Sequence, residues 1–219
     1  MKTRIVLLGP PASGKGTQAQ KIKARFGLET ASPGAMLREE LRRQTALGIE
    51  AERLTRNGFM VPDATVIELV RRWLSEHPRK FVFDGFPRTL VQAEALEKTV
   101  SQKRSALDIV FFFDVSDETI FERVMNRVTC GQCGQSFSAN LHLAPGQSVC
   151  PGCGGALGRR ADDTPEVLEH RLVEYRENTE PLVAYYQKRG LLWPLSAAES
   201  PDQVFAEIAA ALDPSKYSL

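Results

Sequence analysis

Ile5-Val6-Leu7-Leu8-Gly9-Pro10-Pro11-Ala12-Ser13-Gly14-Lys15-Gly16-Thr17 stands near the start of the chain. Four apolar residues in a row read as a buried strand. After them Ala19, Ile22 and Phe26 share one face of a helix that Gly27 stops. Between strand and helix lies the spacing Gly-x4-Gly-Lys, a phosphate-binding turn in its required context. Glycines let the backbone turn tightly and aim its amides at an anion. The helix N-terminus adds positive potential, and Lys15 brings a full charge to the outer phosphates. The general pattern puts a hydroxyl directly after the lysine, whereas here Gly16 intervenes and the hydroxyl comes on Thr17. The plainer alternative is a glycine-rich turn with no ligand; the lysine and the context on both sides argue against it.

The same alternation of short apolar runs and amphipathic stretches continues outward. Residues 28–32, Phe81-Val82-Phe83-Asp84, Ile109 to Val115 and Leu191 to Ser196 read as further strands. Residues 33–58 read as two short helices ending at Gly58. Asp63 is expected to cap a third helix, with Val66, Leu69, Val70 and Trp73 on one face. Ser116 is expected to cap a helix carrying both Arg123 and Arg127. Thr164-Pro165 opens a long helix toward Lys188, and Ser200-Pro201 opens the last. Strands alternating with helices mean an α/β fold around a mostly parallel sheet. One segment breaks the pattern: residues 129–158 hold all four cysteines and seven glycines, and read as an inserted module.

Composition bounds the rest. The 219 residues are 42% hydrophobic, enough for one domain with small insertions and its own core. With 28 Lys+Arg against 27 Asp+Glu, the net charge of +1 gives no sign of a nucleic-acid or membrane partner. No stretch approaches the ~18 apolar residues of a membrane span. The apolar run Ile5 to Leu8 is shorter than the ~7–15 residues a signal peptide needs. A cytoplasmic location is the expectation, and reduced thiols with it.

Cys130-x2-Cys133 and Cys150-x2-Cys153, sixteen residues apart, have the spacing of a four-thiolate zinc site. Such a site is closed and structural. Gly131, Gly134, Gly152 and Gly154 are expected to allow the turns around the metal. Two disulfides, a redox dithiol and a nucleic-acid-binding ribbon are the rivals. The compartment argues against the first two, and the absence of Lys and Arg between Gly134 and Val149 argues against the third. His142 reads as an ordinary loop histidine, not a ligand.

Further motifs follow the phosphate turn in order: Asp84-Gly85-Phe86-Pro87-Arg88-Thr89, Phe113-Asp114-Val115, Arg123-x3-Arg127, Arg160-x-Asp162-Asp163 and Arg171-Leu172-x2-Tyr175. Together with Gly after Lys15, they make the chain resemble the adenylate kinases among the nucleoside monophosphate kinases, from Arg4 to about Lys188. The resemblance implies a P-loop NTPase-type, five-stranded parallel core over residues 1–31, 64–127 and 162–219. It implies a helical insertion at 32–63 that closes over the monophosphate, and a zinc-bearing lid at 128–161 that closes over ATP. The reaction implied is ATP + AMP ⇌ 2 ADP with Mg²⁺, in a monomer.

The resemblance also assigns roles. Pro11, Ala12, Ser13, Gly14, Lys15, Gly16 and Thr17 should cradle ATP, with Phe137 near its adenine. Arg123, Arg127 and Arg160 should hold donor phosphates and the group in flight. Arg38 and Arg88 should hold the acceptor phosphate, and Arg171 should bridge both sides. Pro33, Phe59, Met60, Val61, Gly85 and Gln92 complete the AMP side with Arg160, and Gln92 meets the base. Asp84 should orient water around Mg²⁺. Asp162 and Asp163 either pair with lid arginines or serve as charges at a helix start. The chemistry agrees, since transfer to a phosphate oxygen needs no general base and rests on fixed cations. Arginine is the cation that keeps its proton.

Four positions depart from the family pattern. Pro33 replaces a threonine that contacts the acceptor, and Ala35 replaces an aspartate that works beside Asp84. Phe137 replaces a tyrosine, and no short glycine segment is recognisable at Ala197-Ala198. Pro33 motivates a second reading, a kinase for CMP, UMP or GMP. Ala35 motivates a third, a zinc-ribbon protein that binds nucleotide without transferring phosphate.

Overall fold

A computed structural model describes residues 1–77, 79–144 and 146–213, apart from the side chains of Leu141 and His142. The one assignment made for the His142 side chain therefore lies outside the described residues. Five strands, β1 (Arg4–Leu8), β2 (Glu29–Ala31), β3 (Phe81–Asp84), β4 (Ile109–Asp114) and β8 (Leu192–Ser196), form one parallel sheet in the order β2-β3-β1-β4-β8. Three more, β5 (Arg127–Cys130), β6 (Ser136–Ser138) and β7 (Leu157–Gly158), form a small antiparallel sheet with β5 in the middle.

Burial on both faces explains the unbroken apolar runs of the central strands. Val6 and Leu8 point into one core with Phe81, Phe83 and Val110, under α4 (Asp63–Glu76), α5 (Leu90–Gln102) and α9 (Pro181–Gln187). Ile5 and Leu7 point into the other with Phe111 and Phe113, under α1 (Lys15–Phe26) and α10 (Pro201–Leu212). Pro194 is tolerated because β8 is an edge strand, where one backbone N–H is dispensable. Ser116 caps α6 (Asp117–Met125), Thr164 caps α8 (Pro165–Glu174), and Ser200 forms a capping box with Gln203.

Three expectations are corrected. Asp63 is the first residue of α4 rather than its cap, a place held by Pro62, and its carboxylate is spent elsewhere. Arg127 is not on the helix of Arg123. Asn126 ends α6, and Arg127-Val128-Thr129 enters β5, where its β-branched pair suits an extended backbone. The helix opened by Thr164 does not run unbroken to Lys188. A π turn at Tyr175–Thr179 interrupts it, and Pro181, which has no N–H to give, starts the next segment. Residues 129–158, read as an inserted module, supply most of the small sheet and the short α7 (Ala139–His142). Three-residue strands are too brief to show periodicity.

Between β2 and α4 lie α2 (Pro33–Arg42) and α3 (Ala46–Thr55). The parallel sheet puts the C-terminal ends of β1, β3 and β4 and the N-terminus of α1 along one edge, where open α/β folds bind ligands.

Candidate active site

The turn after β1 is built to approach a ligand closely. Ala12 and Gly14 take the left-handed backbone (φ 57° and 97°), which turns successive amides toward one point. Ser13 is 2% exposed, and its hydroxyl accepts from Lys15 Nζ at 3.0 Å. The same ammonium donates to the carbonyls of Gly9 and Pro10 at 2.9 and 2.6 Å. Burial lowers the Lys15 pKa to about 8, against the pull of Asp84 and with the push of Arg88 and Arg127. A side chain at position 16 would bring its Cβ within 3.3 Å of Asp84 Oδ2, so Gly16 leaves room for that carboxylate beside the start of α1. This close approach explains the glycine that displaces the hydroxyl to Thr17.

Around this turn the structure gathers most of the arginines read from the sequence. Lys15, Arg38, Arg88, Arg127, Arg160 and Arg171 form one electrostatically coupled set with Asp84, Asp162 and Asp163. Arg88 and Arg38 are reached by water yet walled by protein, and this enclosure, with neighbouring arginines, lowers both pKa values. Arg160 falls to about 10, from burial first and then from Arg127 and Arg38. Six cations face three carboxylates. That surplus of enclosed positive charge is relieved by a polyanion, and a bidentate guanidinium fits phosphate.

The carboxylates hold specific partners. Asp163, buried, takes Arg127 Nε at 2.8 Å, and Asp162 takes Arg171. Burial opposes the Asp162 charge, but Arg171 and Arg160 outweigh it and its pKa falls. Both aspartates are therefore ion-pair partners rather than charges at a helix start. Arg160 donates to the hydroxyls of Thr129 and Ser136 at 3.1 and 3.0 Å, which ties it to the small sheet. Arg123 stands apart. It donates to the carbonyl of Ala197 at 2.6 Å, and burial alone lowers its pKa. Phe137 lies on β6 opposite Val128.

The segment Asp84 to Gln92 is fastened at several points. Gly85 is left-handed (φ 68°), and its carbonyl accepts from Arg88 Nε at 2.9 Å. The Phe86–Pro87 bond is cis. The buried Thr179 hydroxyl donates to the Arg88 carbonyl at 2.8 Å, from the π turn. Gln92 is 2% exposed, with its Oε1 accepting from the Arg88 N–H at 2.8 Å and its Nε2 donating to Asp63 at 2.7 Å. Pro33 is buried at the start of α2, and Val61 packs in the core, so its side chain supports the segment. Met60 is half-buried; Phe59 is exposed and packs on His170, ring centroids 5.9 Å apart. The roles of Thr179 and Asp63 carry no local sequence signal, since both partners lie far along the chain.

In the small sheet the four cysteine sulfurs lie within 4.8 Å of one another, so Cys130, Cys133, Cys150 and Cys153 can share one ion. Cys130–Cys153 and Cys133–Cys150 are 3.5 and 3.8 Å apart at sulfur, and all four thiols are free. Tetrahedral zinc with bonds of about 2.3 Å needs sulfurs ~3.8 Å apart, so the donor set fits that metal. The two halves repeat each other: Gly134 N–H bonds the Cys130 carbonyl, and Gly154 N–H the Cys150 carbonyl. Of the four glycines expected to turn, only Gly134 and Gly154 use the left-handed backbone. Hydrogen bonding, first from the Cys133 N–H, lowers the Cys130 thiol, while the neighbouring thiols raise Cys153 against the Gly155 N–H.

Comparison with known proteins bears on this arrangement. The family model described as adenylate kinase matches residues 7–191. An adenylate kinase of Carboxydothermus hydrogenoformans is 40% identical over 211 residues, 95% of this chain and 99% of that one. One of Methanosarcina barkeri is 39% identical over 210 residues, 95% of this chain and 97% of its own. One of Archaeoglobus fulgidus is 38% identical over 213 residues, again 95% and 97%.

Proposed function

The chain belongs to the adenylate kinase family, and we infer that it moves the terminal phosphoryl group of ATP to AMP, giving two ADP. One observation supports this most: Lys15 and five coupled arginines at the C-terminal edge of a parallel sheet. Phosphoryl transfer spreads negative charge over the group in flight, and the protein contributes position and fixed positive charge. Pro11 to Thr17 cradle ATP, and Lys15 leaves the Gly9 and Pro10 carbonyls for the outer phosphates. Arg38 and Arg88 grip the acceptor phosphate, and Arg127, Arg160 and Arg171 surround the transferring group. Arg123, bonded to the Ala197 carbonyl, serves the donor nucleotide. Turnover with each nucleoside monophosphate in turn tests the reading, with AMP expected to be the best acceptor.

Two insertions frame the reaction. Residues 32–63 close on AMP, and 128–161 close on ATP and bring in Arg160 and Phe137. Closure excludes water, which would otherwise receive the phosphoryl group. Zinc at the four cysteines makes the lid a rigid unit that its few apolar residues would not hold alone. Mg²⁺ supplies charge neutralisation between phosphates. Asp84, beside the start of α1, would orient the waters of bound Mg²⁺, one or two carboxylates being what such a site uses. Ala35 brings no second.

Proton linkage provides a pH test. The Lys15 pKa is about 8 in the fold and 10.5 as a free side chain. Between those values the unfolded chain holds a proton the folded chain has lost, so this group raises stability as pH climbs from 8 to 10.5. Below pH 8 the cost of the buried ammonium is fully present. Phosphates beside Lys15 raise its pKa again. At pH 8, ATP binding is expected to take up about half a proton per site. Calorimetry in two buffers of different ionisation enthalpy reads this number, and no uptake contradicts the placement of Lys15 against phosphate.

A further inference from the structure

The two ends of a glutamine amide have nearly the same shape and opposite hydrogen-bonding character. At Gln92 two groups decide which end lies where. The Arg88 backbone N–H, which can only donate, meets Oε1 at 2.8 Å. Asp63 Oδ1, which as a carboxylate can only accept, meets Nε2 at 2.7 Å. Turning the amide over would set donor against donor and acceptor against acceptor. With Gln92 2% exposed, little water reaches the amide to repair the mismatch. Asp63 is itself anchored. Its Oδ2 accepts from the Thr89 hydroxyl at 2.8 Å, and that hydroxyl accepts the Gln92 N–H at 3.1 Å. The first residue of α4 and the first turn of α5 thus close a ring of hydrogen bonds around one amide.

We propose that Asp63, together with the Arg88 backbone N–H, sets the base preference of the acceptor site by locking the Gln92 amide in a single orientation. Asp63 is a positioning residue that acts through Gln92, and the proposal rests on the reading of Gln92 as the group that meets the acceptor base. Locked, Gln92 keeps one N–H and one carbonyl lone pair for the base, each in a fixed place. Adenine presents an acceptor nitrogen beside a donor amino group. Hypoxanthine presents the reverse, an N–H beside a carbonyl. A glutamine free to turn over serves both, whereas a locked one serves the 6-amino purine and opposes the 6-oxo purine.

The test compares kcat/KM for AMP and IMP, with ATP as donor, in the parent enzyme and in Asp63→Asn, Asp63→Glu and Gln92→Met. Asparagine keeps the size but can donate as well as accept, so a turned-over Gln92 meets one mismatch, at the Arg88 N–H, instead of two. The AMP-to-IMP ratio is expected to fall about tenfold in Asp63→Asn, the scale of one mismatched hydrogen bond. It should be largely retained in Asp63→Glu, which again can only accept, and lost in Gln92→Met. A purely structural Asp63 lowers both nucleotides together and leaves the ratio unchanged, which overturns the lock. A ratio unmoved by Gln92→Met overturns the reading of Gln92 and the lock with it. A fall in Gln92→Met without one in Asp63→Asn removes the lock alone.

Discussion

Lys15→Met is expected to lower kcat by about three powers of ten, the scale of losing one preorganised charge at a developing anion. Methionine fills nearly the same volume, so the loop keeps its shape while the ammonium disappears. The effect is expected on the chemical step, because the proposed place of Lys15 is against the outer phosphates, where charge builds up as the group transfers. Folding does not suffer. The depressed Lys15 pKa shows that burying its charge opposes the folded state, so the variant's thermal midpoint is expected to hold or to rise. Steady-state kinetics beside a melting curve check both halves. Turnover within tenfold of the parent removes Lys15 from the chemistry, and a collapsed melting point marks it as structural.

Cys150→Ala has the second large effect, and it is local. The protein purified without chelator is expected to hold about one zinc per chain, and the variant none. Structural zinc at four thiolates is worth on the order of 10 kcal/mol, far more than the short β5–β7 sheet can supply by packing. Cys150 is buried between the two halves of the cluster, so no outside ligand replaces it easily. Amide hydrogen exchange should therefore quicken across residues 128–158 while β1, β3 and β4 keep their protection. Arg160 leans on Thr129 and Ser136 of that same sheet, so a loosened lid misplaces it. Displacement of that kind costs about 10²-fold in turnover. Parent protein without stoichiometric metal, or a variant whose lid exchanges as slowly as the parent's, contradicts this account.

The elements most legible in the sequence were those whose signals are local. Ile5 to Thr17 contains both the strand and the turn, and both are read from adjacent residues. The spacing of the cysteines works the same way, because a metal imposes its geometry on four named side chains. Groups that depend on distant partners were hidden. Asp63 looks like a helix cap because aspartate commonly is one, yet its partners Thr89 and Gln92 are 26 and 29 residues away. Arg123 and Arg127 have helical spacing, but the boundary at Asn126 and the pairing of β5 send them to different places. Asp162 and Asp163 could be assigned either way until Arg171 and Arg127 stood opposite them. The glycine at 16 was visible only as an irregularity, and its cause is the Asp84 carboxylate, 68 positions later in the chain.

The central claim is that this cleft passes a phosphoryl group between two adenine nucleotides. It is tested most directly by the initial rate of diphosphate formation from ATP with AMP, CMP, UMP or GMP, each with and without Mg²⁺. AMP is expected to give the highest kcat/KM, with two ADP formed for each ATP consumed and a rate that depends on Mg²⁺. A different monophosphate outrunning AMP, or purified protein that binds ATP and AMP without forming ADP, would contradict it.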